Sequence, residues 1–118
     1  MITAPSPHLH HTVLVHHVLG LVRDLGAAGA LVELRRTRPP LDAEGYHDTL
    51  AVYVVWAVDR LVAAGLTDLG VLWHPLTDDR SPLAWWDADT LESAAARRHF
   101  VPPTLGEAWE PRPSEPSA

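Results

Sequence analysis

The sequence predicts an all-α domain, a small orthogonal or up-down bundle of four to five helices. Three observations carry the prediction. Apolar residues recur at helical spacing through two long stretches, glycines and prolines stand where those helices would end, and capping residues stand where they would begin. A chain of 118 residues fits one domain and can bury roughly two-thirds of the surface its unfolded form exposes. The expected organisation is a flexible stretch over residues 1–7, a single helical domain over 8–101 and a disordered, proline-rich tail over 102–118.

The first helix is expected over residues 9–25, where Leu14, Val18, Leu21, Val22 and Leu25 fall on one arc at ~100° per residue. Gly26 sits where a left-handed residue would end it. A shorter second helix then runs from Ala27 to about Arg36, burying Leu31, Val32 and Leu34, and stops before Pro39 and Pro40, which cannot continue a helix. Asp42 is the expected N-cap of a third helix that runs to Ala64, with Gly65 as its stop. Its apolar stripe is Leu50, Val54, Ala57, Val58 and Leu61. The β-branched run inside it resembles a strand locally, but length and caps favour helix. Thr67 and Asp68 cap one or two further turns up to His74, ahead of Pro75. Residues 76–82 read as a loop. Asp87 is the expected N-cap of a single last helix from Ala88 to about His99, and five prolines from Pro102 onward mark the tail.

Composition excludes several classes of function. The net charge is −6, and all nine basic residues are arginines, as the codon bias of a GC-rich genome would produce. Such a chain repels phosphate overall, and Arg35, Arg36 and Arg38 alone are a poor nucleic-acid footprint, so no nucleic-acid partner is expected. Without cysteine there is no disulfide, thiolate nucleophile or Cys-ligated metal. The first residues lack a basic leader region, and no apolar run suggests a membrane span. The expected setting is a bacterial cytoplasm.

Eight histidines are present, five of them within residues 8–17, and the helical wheel separates them. His16 falls on a polar side of the first helix, and His10 and His17 on the opposite edge, while His11 falls inside the apolar arc. On the third helix His47 lies between Val54 and Val58 on the apolar arc. Both histidines stand in the first turns of their helices. A rising, returning and rising chain places those two N-termini side by side, where free N–H groups and partial positive charge favour anions and lower an imidazole pKa. Two readings follow: each ring is a core histidine satisfied by a backbone carbonyl or a tyrosine, or the pair forms a site.

The sequence also resembles a family of small, all-helical bacterial proteins that carries no assigned activity. The family's first segment, Phe-x-His-x-x-His-[Leu/Val]-Arg-x-Ala-Trp, is matched by residues 9–19, its Tyr-His-Glu-Thr by Tyr46-His47-Asp48-Thr49, and its third segment by Trp85-Trp86, Leu91-Glu92-Ser93, Ala96-Arg97 and Phe100-Val101. The similarity covers about residues 9–103. It selects His11, His47, Asp48 and Arg97. Where the family has its second histidine this chain has Leu14, its arginine is His16, and its glutamate is Asp48.

Acid–base chemistry is what this inventory favours. No Gly-x-Ser-x-Gly elbow and no Gly-rich phosphate loop are present. His47 is the candidate acid or base with His11 as its partner, and Tyr46 and Asp48 complete the candidate catalytic group. Arg97, Trp85, Trp86 and Ser93 are the candidate ligand-binding residues, and Trp56 and Trp73 read as packing. No cofactor is expected. A divalent metal on His11, His47 and Asp48 is the lesser alternative, because Asp48 lies ~100° from His47 on a helix. The expected function is a cofactor-independent elimination, isomerisation or cyclisation on a small molecule. The alternatives are a ligand-binding or regulatory module and a homodimeric interaction subunit.

Overall fold

The computed structural model describes residues 7–42, 44–78 and 80–105, with the backbone alone for 7–10. Five α-helices and two single turns of 3₁₀ helix make up the fold, and no strand occurs among the described residues. They are α1 (Pro7–Thr37), α2 (Asp48–Ala63), α3 (Asp68–Leu72), α4 (Ala88–Leu91) and α5 (Ala94–Arg98), with 3₁₀ turns at Pro75–Thr77 and Ser81–Ala84. The all-α expectation therefore holds.

The first two expected helices are the two arms of α1. Gly26 divides them with φ 77° and ψ 172°, a combination that side-chain-bearing residues avoid. Arg23 near the end of the first arm pairs with Asp68, just beyond the end of α2. Arg35 on the second arm pairs with Asp48, at the start of α2. The second arm thus runs back along α2, and the first arm runs in the same sense as α2. By length and composition residues His11–Thr37 suffice to cross a membrane, unlike the sequence expectation, although Gly26 interrupts the stretch and a third of its window is buried in this fold.

The core is organised around α2. Ala51, Val52, Tyr53, Val54 and Val55 are all buried, and five successive residues at ~100° steps cover every side of a helix. Each buried Val contributes ~1.5–3 kcal/mol, against a few tenths for placing a β-branched residue in a helix. Burial wins, which is why a strand-like run is helical. Leu14, Val15, Val18, Leu19 and Val22 of the first arm, and Ala30, Leu31 and Leu34 of the second, supply the packing partners. Leu25 and Val32, expected in the core, are 52% and 66% exposed. Leu25 immediately precedes the break at Gly26, where the helical wheel stops applying.

Three boundaries differ from expectation. Asp42 caps no helix: its Oδ1 accepts from the Glu44 amide at 2.8 Å, and the Leu41 amide bonds the Gly45 carbonyl at 2.9 Å, closing a turn. The helix begins at Asp48 instead. Its other end is as expected, with Gly65 (φ 85°) beyond the C-cap and the amides of Gly65 and Leu66 on the carbonyls of Val62 and Leu61. The single last helix is two, because Ser93 is extended (φ −67°, ψ 153°) and caps α5. The chain beyond Pro102 is also held as far as residue 105, where the Leu105 amide bonds the Trp85 carbonyl at 2.8 Å and Thr104 bonds Asp87. The remainder of the expected tail, residues 106–118, and residues 1–6 of the expected flexible start lie outside the described residues.

Two glycines of α1 test this geometry in opposite directions. Gly26→Ala should cost ~1–3 kcal/mol, the strain of a side chain at that backbone conformation. Gly20→Ala, helical with nothing within 4 Å of the added Cβ, should stabilise by up to ~1 kcal/mol. Urea unfolding reads both, and equal effects of the two substitutions would mean that α1 is not broken at Gly26.

Candidate functional site

The segment Tyr46-His47-Asp48-Thr49 is bonded throughout. His47 is the N-cap of α2, extended at φ −145° and ψ 105° and 1% exposed. Its Nδ1 accepts from the Leu50 amide at 3.2 Å, and its Nε2–H donates to the Leu91 carbonyl at 2.6 Å. That pair of bonds requires a neutral ring protonated on Nε2. Burial pushes the His47 pKa down, and Arg97 adds to that against the opposing pull of the Leu91 carbonyl and Asp42. Asp48 is buried at 4% exposure. It receives Arg35 through two bonds of 2.9 and 3.0 Å, the Tyr46 hydroxyl at 2.6 Å and the Phe100 amide. Burial alone would raise its pKa, but the Arg35 and Tyr46 hydrogen bonds outweigh it and hold the carboxylate below the usual range. The Tyr46 hydroxyl is pushed upward, by burial first and then by its bond to Asp48. Thr49 Oγ1 donates to the carbonyls of Ala96 and His99 and accepts from the Val101 amide.

These bonds correct the expected catalytic group. His47, Tyr46 and Asp48 tie the start of α2 to the end of α1 and to the C-terminal segments, leaving neither ring nitrogen of His47 free for proton transfer. The expected ligand-binding residues are similarly engaged. Ser93 Oγ caps α5 by accepting from the Ala96 amide, and Arg97 pairs with Asp42 and Glu44. Trp86 is fully buried with its Nε1–H on the Val101 carbonyl at 3.0 Å. Trp85 is half-buried, edge-on to Trp56 with ring centroids 5.9 Å apart. Trp56 packs as expected, against Tyr53 and beneath Arg60.

His11 belongs to different surroundings. Its Nε2–H donates to the Thr77 carbonyl at 2.6 Å, and no hydrogen bond joins it to His47. It lines a cleft of about 390 Å³ with Leu72, Trp73, His74, Pro75 and Asp78 among others, and His47 is not in that lining. Among the described residues no group of three or more His, Asp or Glu is placed to hold a metal ion, so the composite site of His11, His47 and Asp48 is not assembled.

The second ring of the cleft is His74, which wheel reasoning missed because it lies past the end of α3. It caps the turn Pro75–Thr77, its Nδ1 accepting from the Leu76 amide at 3.0 Å. His-Pro after a short helix is the one sequence signal that could have found it. In the neutral rings, His11 therefore keeps a lone pair on Nδ1 and His74 keeps its proton on Nε2. Both atoms lack a protein partner among the described residues, and neither is closed off from solvent. Trp73, expected to pack, is 73% exposed on the rim.

Comparison of the chain with family models, with curated proteins and with solved structures gave no match.

The His47 bonds have a pH signature. A folded-state pKa below the ordinary value of ~6.5 contributes stability that is fully present above ~pH 6.5 and is lost as pH falls through the lower folded value. His47→Asn keeps a capping acceptor but does not titrate. Urea unfolding from about pH 8 down to about pH 5 should show a smaller loss for the variant than for the parent chain, and identical slopes would remove His47 as the cause. Thr49→Val, which leaves three backbone groups without their partner, should cost ~1–3 kcal/mol at every pH.

Proposed function

We propose that the chain binds a small molecule in the His11–His74 cleft and moves a proton on it without a cofactor. The observation that carries this reading is the complementary state of the two rings. Each has one nitrogen tied to a backbone group, which fixes where its proton sits, and a second nitrogen with no protein partner among the described residues, and both rings line the same cleft. His11 offers an acceptor and His74 a donor, the two halves of general acid–base catalysis. When His11 Nδ1 takes a proton, the bond from Nε2–H to the Thr77 carbonyl keeps the ring in its orientation. His74 Nε2–H can then donate to an oxygen or nitrogen that gains negative charge. Eliminations and isomerisations need these two events and no redox partner. This keeps His11 from the sequence reading and replaces His47 with His74, in a bacterial, cytoplasmic setting.

A non-catalytic binding module would use the same cleft. The homodimeric alternative draws on Leu69 and Trp73, one turn apart along α3 and 68% and 73% exposed, and it predicts a concentration-dependent dimer that Trp73→Ala abolishes.

A base-promoted elimination distinguishes enzyme from binder. With a nitrobenzisoxazole, His11 removes the ring C–H proton, the C–H electron pair becomes the third bond of a nitrile, and the N–O bond breaks with its pair staying on the phenolate oxygen of the same, ring-opened product. The chain should exceed the rate of free imidazole at equal ring concentration. His11→Gln should lower that excess ~10²-fold or more, and His47→Asn should leave it within about twofold in folded protein. A rate equal to free imidazole, or one unchanged by His11→Gln, contradicts the proposal.

A further inference from the structure

We infer that the cleft takes a neutral, planar heteroaromatic ring carrying both an N–H donor and a carbonyl acceptor, an inference that rests on the function proposed for the same site. Trp73 sets the shape. A largely exposed indole is an expensive group to leave in water, and here it stands on the rim beside Leu72 and Pro75. A flat ring laid against it removes apolar surface from water and gains the stacking that aromatic pairs favour. The volume of about 390 Å³ lies at the small end of ligand sites, room for one or two fused rings.

Charge narrows the class further. Apart from the two imidazoles, the one ionisable side chain lining the cleft among the described residues is Asp78, and no arginine lines it. On a chain of net charge −6, that lining gives an anionic ligand no counter-charge. The polar edge is set by the histidines. A ligand N–H satisfies the lone pair on His11 Nδ1, and a ligand carbonyl accepts from His74 Nε2–H. These are the groups of a cyclic amide, whose proton can shift between ring nitrogen and oxygen, the kind of transfer the two rings are poised to assist.

Carbostyril, a bicyclic lactam, is the probe, with N-methylcarbostyril lacking the donor and quinaldate supplying an anion. Titrations followed by amide and indole chemical shifts should show saturable carbostyril binding, with shifts at Trp73, His74 and Thr77. N-methylcarbostyril should bind ~tenfold or more weakly, and quinaldate more weakly still. Trp73→Ala should weaken carbostyril similarly, and Trp73→Phe should restore most of the affinity. Because Trp73 is exposed, neither substitution disturbs the core. Equal affinity for the N-methylated ring, preference for quinaldate, shifts that map elsewhere, or no saturation each overturn the inference. Nitrobenzisoxazole turnover separates the two levels. Turnover without lactam binding leaves the proton-transfer site standing with the wrong ligand class, and lactam binding without turnover leaves a binding site that does no chemistry.

Discussion

Residues 46–49 join the start of α2 to four other segments, and each bond ends on a backbone group or on a buried charge. Arg35 brings the end of α1, Leu91 the end of α4, Ala96 the middle of α5 and His99 its C-cap, and Phe100 and Val101 begin the C-terminal stretch. The helices so joined are short. α4 spans four residues and α5 five, far below the length at which a helix persists alone in water. Their positions therefore depend on being tied to α2. The aromatic cluster depends on the same joint, since Trp86 reaches Val101 and stands edge-on to both Tyr53 and Phe100.

The cleft sits on the opposite bookkeeping of polar groups. At the joint nearly every donor and acceptor is matched inside the protein, whereas His11 and His74 each use one nitrogen and leave the other open. Buried polar groups are matched because an unmatched one costs ~1–3 kcal/mol. An imidazole at a solvent-facing cleft incurs no such cost, since water serves until a ligand replaces it. A fixed tautomer with one open nitrogen is thus tolerated at the surface, which is where the proposed acid–base chemistry is placed.

The bundle was legible in the sequence because its signals are local and repetitive. Gly26, Gly65, Thr67 and Asp87 mark helix ends through chemistry confined to a few residues, and the apolar spacing of α2 survives its β-branched content. The joint was legible in place and misread in role. Tyr46-His47-Asp48-Thr49 carries the residue types of an active site, and nothing local distinguishes a histidine that caps a helix from one that works. The difference lies in Leu91, Ala96 and Arg35, distant in sequence. His was also a weak expectation for an N-cap beside Asp42, whose side chain closes the turn at Gly45 instead. His74 and Trp73 carry no periodic signal, because they lie where α3 ends and a 3₁₀ turn begins.

The separation of a structural histidine from the two proposed to act on a ligand can be read directly from a long-range proton–nitrogen correlation spectrum of the imidazole rings. His11, His47 and His74 should all show the Nε2–H tautomer in their neutral state. Added carbostyril should shift the open nitrogens of His11 and His74 and leave those of His47 in place. A His47 ring in the Nδ1–H tautomer, or one that responds to the lactam while His11 and His74 do not, would contradict the assignment of the joint to folding and of the cleft to function.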